Sequence, residues 1–273
     1  MTRKKFTFVS KALPEDTFAV ISFKGVEGIS RPYEFDITLV SEDPDIDLKE
    51  VIKNPATFNL NFEGEDFPTH GRLATFEQVH EIPGHVYYRA VLVPKLWQAS
   101  LYQESQVFLD KSVEDIIKEI LKQVGLTTSD YDLRPAKKDY CKWEYICQYQ
   151  ETHLNFLSRW MESEGIYYFF EQTEKSEKLI ITNSLTTHQD IRSEKTVNYS
   201  PPSGLDHPEE EVVSAFLCRQ RTLPKKVILN DYHFEKSDVP LVVEEVVDKK
   251  LLFHWQFDIR QRFYVIAVPR IRG

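Results

Sequence analysis

His153 follows a Glu151-Thr152 pair, and a histidine in that position could serve as a zinc ligand if a second donor stood one helical turn away. No H-E-x-x-H pattern accompanies it, so His153 reads as a structural or solvent-facing residue. His70, His80 and His85 bracket a predicted hairpin and could converge on a metal, although half-buried strand histidines explain them equally well. Asp43-Pro44-Asp45-Ile46-Asp47 has the acidity of a calcium loop but neither its glycine nor its distal glutamate, which leaves a solvated turn. Glu209-Glu210-Glu211 reads as the solvated end of a linker. Glu151 and Arg159 could be mistaken for catalytic groups. A structural reading fits them better: an acid at a helix N-terminus, and an arginine pairing with Glu162, Glu164 or a neighbouring subunit. With no G-x-S-x-G, P-loop or Rossmann glycine set, the sequence predicts no catalytic, cofactor or metal site.

The elements that would position these residues are legible. Thr152 is a good N-cap, and Leu154, Phe156, Leu157, Trp160 and Met161 share one helical arc opposite Ser158, Arg159, Glu162 and Ser163. Gly165 supplies a left-handed stop, and Ile166 to Phe170 continues as a strand. A second helix is expected within 110–125, from Val113, Ile116, Ile117, Ile120, Leu121 and Val124 at helical spacing, with Ser112 and Asp115 as its cap and Gly125 as its stop. Before it, Tyr33, Phe35, Ile37 and Leu39 alternate with polar residues, as do Phe58, Leu60 and Phe62, which is the period of half-buried strands. Turns are expected at 63–66 and 82–85. A strand near 140–147 and a hairpin of Ile166–Phe170 with Leu179–Thr182 complete an α+β segment, with Glu174 to Glu177 as the polar tip of the hairpin.

The chain has a formal charge of -9, which argues against nucleic acid as the main partner, because phosphate binding needs a clustered basic surface. Arg3-Lys4-Lys5 and Arg134 with Lys137-Lys138 read as solvated surface. No run approaches membrane-spanning length and no apolar secretory core follows the basic start, so synthesis in the cytosol without membrane insertion is expected. Cys141, Cys147 and Cys218 form neither a C-x-x-C pair nor a disulfide-dense pattern, which suggests free thiols. Thirteen Tyr, eighteen Phe and four Trp raise a carbohydrate-binding module or an enzyme as another class, but rings that follow strand alternation usually belong to a core.

Gln148, Tyr149, Glu151, Thr152, Phe156, Leu157, Arg159, Glu164, Gly165, Ile166 and Tyr168 together resemble the signature of VgrG, the spike family of type VI secretion. Gly28-Ile29-Ser30-Arg31-Pro32-Tyr33-Glu34-Phe35, Asn54-Pro55-Ala56, Pro94-Lys95-Leu96-Trp97, and Phe108 followed by residues 112–117 match further family motifs in order. The resemblance covers residues 6–183 and, more loosely, runs to 240. It implies a mainly β, phage tail hub-like fold with an α+β insert carrying two helices. The expected domains are a complete first β-barrel over 1–110, the α+β domain over 111–183, a Pro-rich connector over 184–211 and a partial second β-barrel over 212–273.

Strand-like runs at 212–218, 227–229, 241–247, 251–259 and 263–268 would supply that second barrel. The resemblance implies a homotrimer that joins a spike to the hexameric ring of an Hcp-like tube protein within a baseplate, since two similar barrels per subunit let a threefold object meet a sixfold one. Assembly in the cytoplasm and export by the contractile apparatus, without a signal peptide, would follow. A prophage tail hub or baseplate protein is the near alternative. The oligonucleotide-binding-fold and Val-Gly-rich needle patterns of full spikes are not found in these residues, as expected of a truncated gene or a short hub-only homologue.

Overall fold

The computed structural model describes residues 6–62, 65–134, 140–188, 199, 224–232, 236–246 and 263–264. It divides the chain into two compact units, residues 1–189 with 261–273, and residues 190–260.

The first unit is dominated by one antiparallel sheet. Its strands are β1 (Phe6–Ser10), β2 (Ala19–Gly28), β3 (Arg31–Ser41), β4 (Ala56–Phe62), β5 (Glu65–Ile82) and β6 (His85–Val93), hydrogen-bonded in the order β1-β4-β5-β6-β3-β2. Phe263–Tyr264 adds a short strand to the free side of β2, opposite Lys24 and Phe23. The sheet curls into a half-barrel, bringing Phe6 of β1 within 5.2 Å of the Phe23 ring of β2. Alternation decides which face is inside: Tyr33, Phe35, Ile37 and Leu39 are buried on β3, and Phe58 of β4 packs against Phe23 at 4.6 Å and Phe35 at 5.7 Å. The expected turn at 82–85 is the β5–β6 hairpin, with Gly84 at φ 81°.

The acidic run near residue 45 has a task beyond solvation. Asp47 accepts from the amides of Lys49 and Glu50 and so caps α1 (Leu48–Lys53), a short helix that periodicity does not reveal.

The α+β part holds the other core. It contains β7 (Gln103–Lys111), α2 (Val113–Gln123), β8 (Tyr131–Arg134), β9 (Trp143–Thr152), α3 (His153–Glu164), β10 (Tyr167–Gln172) and β11 (Glu177–Thr182). β7, all but its last residue inside the 1–110 expected for the first barrel, pairs with β9 and not with the curled sheet. β10 and β11 form an antiparallel hairpin, and β8 adds to β11 in parallel. Both helices begin and end as their sequences dictate. Ser112 and Asp115 form a reciprocal capping box on α2. At the end of α3, the Ile166 amide donates to Met161 O at 2.7 Å and Gly165 sits at φ 69°, a glycine-terminated C-cap.

In the second unit the described strands are β12 (Lys226–Asp231) and β13 (Leu241–Val246), an antiparallel ribbon. The runs expected at 212–218 and 251–259, and most of the expected connector, lie outside the described residues.

Candidate functional site: a polar joint built by separate motifs

The α3 segment is a self-supporting polar bracket. Gln148 is fully buried: its side-chain carbonyl accepts from Gln106 Nε2 at 2.8 Å, and its amide donates to Glu151 O at 2.9 Å. The same amide lies 3.1 Å from His153 Nδ1, and burial lowers the His153 pKa, so this ring is a neutral acceptor inside the fold. His153 is therefore structural and 1% exposed, not solvent-facing.

Thr152 Oγ1 accepts from the Asn155 amide as the N-cap, while Phe156 and Leu157 are buried. Arg159 pairs with Glu151 at 2.6 Å, not with Glu162 or Glu164 as the sequence suggested. Helical side chains lean toward the N-terminus, which carries the guanidinium back over Phe156 to the acid that precedes the helix. Trp160 is half-buried, edge-on to Trp143 at 5.5 Å, so it contributes less burial than its place on the apolar arc implies. Tyr149 is 69% exposed and takes no part in this bracket.

Ser30, Tyr33, His70, Lys95 and the β10–β11 hairpin meet at a second place, where the sheet is fastened to the α+β part. Ser30 occupies the β2–β3 turn at φ 53° and its amide donates to Tyr168 O at 2.8 Å. Pro32 is half-buried beside it, and Tyr33 and Phe35 follow as buried residues of β3. The Tyr33 ring meets Phe170 edge-on at 5.0 Å, and its hydroxyl touches both the His70 carbonyl and Glu177 Oε2.

β5 runs past the end of β6, whose last partner is Arg72, so the backbone of His70 faces the hairpin. Its amide donates to Gln172 Oε1 at 3.0 Å, and its ring bridges Thr57 Oγ1 and Thr173 O. Next to it, Gly71 lies so close to β6 that an added Cβ would stand 2.3 Å from Val93 O.

Pro94 then opens a 3-10 turn, Lys95–Ser100, that buries Leu96 and leaves Trp97 half-buried. The Lys95 amide donates to Glu177 Oε1, and its ammonium pairs with Asp130 at 2.7 Å. Burial pushes the Asp130 carboxyl up, but Lys95 and the Thr127 donors outweigh it and hold the group below its ordinary range. Glu177 goes the other way: burial raises it to about 7 despite the bonds from Tyr33 and Lys95.

Sequence reasoning placed Glu177 at a polar hairpin tip, whereas it begins β11 opposite Gln172 and points into the joint. The only local signal is that apolar Leu179-Ile180-Ile181 begins two residues after it. The three strand histidines do not converge. His70 and His80 lie ten residues apart along one strand, a span of about 33 Å, and His80 stacks on Tyr87 at 4.3 Å. Among the described residues no three His, Cys, Asp or Glu side chains group to hold a metal ion.

Three of the segments picked out by sequence, residues 28–35, 94–97 and 148–168, thus serve as fasteners. The family described as phage tail baseplate hub (GPD) matches residues 26–262. The chain belongs to that family. Among curated relatives, the type VI secretion system spike protein VgrG1a of Pseudomonas aeruginosa is 30% identical over 85% of this chain and 36% of its own length. The chain spans about a third of the length of the curated relatives it matches.

Among solved structures, the Escherichia coli c3393 protein, described as a type VI secretion component similar to the T4 tail proteins gp27 and gp5, aligns with a TM-score of 0.61 at 18% identity. That alignment covers 84% of this chain and 56% of the other. The 43 kDa tail protein of prophage MuSo2 from Shewanella oneidensis aligns with a TM-score of 0.54 at 12% identity, over 91% and 70% of the two chains. These two structures share the fold of this hub-family chain.

Proposed function

We propose that this chain is a structural hub of a contractile injection machine, at the base of a type VI secretion spike. It works as a homotrimer that joins the spike to a hexameric Hcp-like tube inside a baseplate. The observation that carries this reading is the hub-family match over residues 26–262 together with the joint those residues build: the shared motifs are spent on holding two parts of the fold in a fixed relation. Relatives described as spike proteins support a structural role over an enzymatic one.

A surface suited to assembly supports it too. On the outer side of the β7–β9 ribbon, Val107, Leu109 and Tyr145 are 49%, 60% and 59% exposed, an apolar face that fits burial against another copy. In the finer reading, the curled sheet of β1 to β6 contributes a first barrel and residues 212–273 a partial second one. That duplication would give a threefold object six near-equivalent faces. Assembly takes place in the cytoplasm, and contraction exports the particle.

Mass measurement in solution with co-sedimentation against tube rings tests the reading. A trimer that binds rings is expected, and Leu109→Glu should shift it to monomer while keeping its melting temperature. A strict monomer that ignores rings and binds a small sugar would replace this reading with a carbohydrate-binding module. The prophage tail protein of like fold favours a phage tail hub as the second reading, and neighbouring genes for secretion or for phage tails discriminate the two.

A further inference from the structure

Tyr33 carries one hydroxyl proton, yet two acceptors face its oxygen, the His70 carbonyl and Glu177 Oε2. With Glu177 ionised, that proton serves one acceptor and leaves the other unpaired in a place largely closed to water. The remaining carboxyl oxygen, Oε1, is already engaged by the Lys95 amide. One added proton on Oε2 balances the count: Glu177 donates to Tyr33, Tyr33 donates to His70, and every oxygen in the chain has its partner. The other backbone group of His70, its amide, is held by Gln172 of the same hairpin.

We propose that Glu177 is kept as the neutral acid, and that the chain from Glu177 through Tyr33 to His70 is a proton-dependent latch fastening the β10–β11 hairpin to the curled sheet. Loss of that proton leaves the Tyr33 hydroxyl to turn toward the carboxylate and releases the His70 carbonyl, which loosens the joint.

The surroundings agree. Burial raises Glu177 to about 7, and burial followed by Glu177 itself raises Tyr33 well above its ordinary value, so Tyr33 keeps its proton throughout. The other titratable or charged groups around the chain are Glu27 of β2, the His70 ring of β5, Lys95 at the start of the 3-10 turn and Asp130 before β8. Lys95 and Asp130 neutralise each other as an ion pair.

Because the folded value lies above the unfolded one near 4.5, the folded chain binds the proton more tightly. The stabilisation is complete below about pH 4.5 and is lost as pH rises through about 7.

The test uses the full chain and its Glu177→Gln variant. The glutamine amide can donate to Tyr33 and accept from Lys95, as the neutral acid does, but does not titrate. Relative to the variant, the folded-to-unfolded ratio of the parent protein should fall on the order of a hundredfold from pH 4.5 to 8.5 in chemical unfolding. Difference infrared spectra at pH 6 should carry a protonated-carboxyl band that Glu177→Gln lacks. Parallel pH curves, or no such band, would overturn the latch. Should Glu177→Gln fail to fold, Tyr33→Phe keeps the acid and removes its acceptor. The band then moves to the frequency of an unbonded acid, and an unmoved band refutes the chain.

Discussion

The interior of the curled sheet and the joint beside it are held by different means. Inside the sheet, Phe6, Phe8, Phe18, Phe23, Phe35 and Phe58 interdigitate as rings 4.6–6.4 Å apart and need no directional partner. At the joint, Tyr33, His70, Gln172, Glu177 and Lys95 are polar, and each bond has one geometry that works. Phe170 belongs to both, packing against the sheet core and the α+β core. Apolar burial supplies stability in proportion to area and tolerates small shifts. A polar network fixes orientation and fails when one member moves. At the contact between the two parts, where sliding would cost little in apolar area, the polar bonds are what fix their relative orientation.

The widest separation between the two regions is expected from a ring deletion in the sheet. Phe58→Ala removes the side chain that meets Phe6, Phe23 and Phe35, and should lower stability by about 3–5 kcal/mol in urea unfolding. Protection of amides throughout the sheet should fall together. A loss below about 1 kcal/mol would mean that the interior repacks and is not the rigid partner in the comparison.

Gly71→Ala acts on the joint with a smaller cost and a more local effect. Its Cβ would stand 2.3 Å from Val93 O, a backbone atom that can yield only by moving the chain into Pro94 and Lys95. A destabilisation of about 1–3 kcal/mol is expected, with loss of pH sensitivity as the Lys95 amide leaves Glu177. Gly165→Val, which forces a β-branched residue to φ 69°, should cost about 1–2 kcal/mol and leave the joint's pH dependence unchanged. If Gly71→Ala and Gly165→Val behave alike toward pH, the joint has no behaviour of its own.

The same contrast explains what the sequence made legible. The strands of the sheet and both long helices follow from period, cap and stop: Tyr33 to Leu39 alternate, Ser112 and Thr152 cap, and Gly125 and Gly165 sit at positive φ. Each of these signals lies within one or two turns of chain, where local sterics and hydrogen bonding decide the outcome.

The joint is written across 144 residues, from Tyr33 to Glu177, and no local spacing rule connects them. Resemblance marked Ser30, Tyr33, Pro94 and Tyr168 as belonging to a pattern without indicating that they meet. Glu177 was read as part of a polar tip, and His70 as a possible metal ligand or a half-buried strand residue, because an acid after a polar turn and a histidine on a strand are ordinary at the surface. The strand histidines failed as a metal set for a related reason: a β-strand spreads residues along its length, so closeness in sequence is not closeness in space.

The smallest expected effect separates a residue kept for assembly from one kept for stability. Arg159 lies on the α3 surface, with 51% of its side chain exposed, and its partner Glu151 keeps 22% exposure. An ion pair in that setting is weakened by solvent and salt, so Arg159→Ala should cost less than about 1 kcal/mol even though it also gives up contact with the rings of Phe156 and Trp160. A fork of donors on an exposed helix face is also suited to a carboxylate on a neighbouring subunit. The discriminating measurement is the mass of Arg159→Ala in solution beside its unfolding midpoint. Intact stability with weakened assembly would place the residue at a subunit contact. A loss of several kcal/mol with assembly retained would move it to the structural side of the comparison, with the buried Gln148 and His153 it sits beside in sequence.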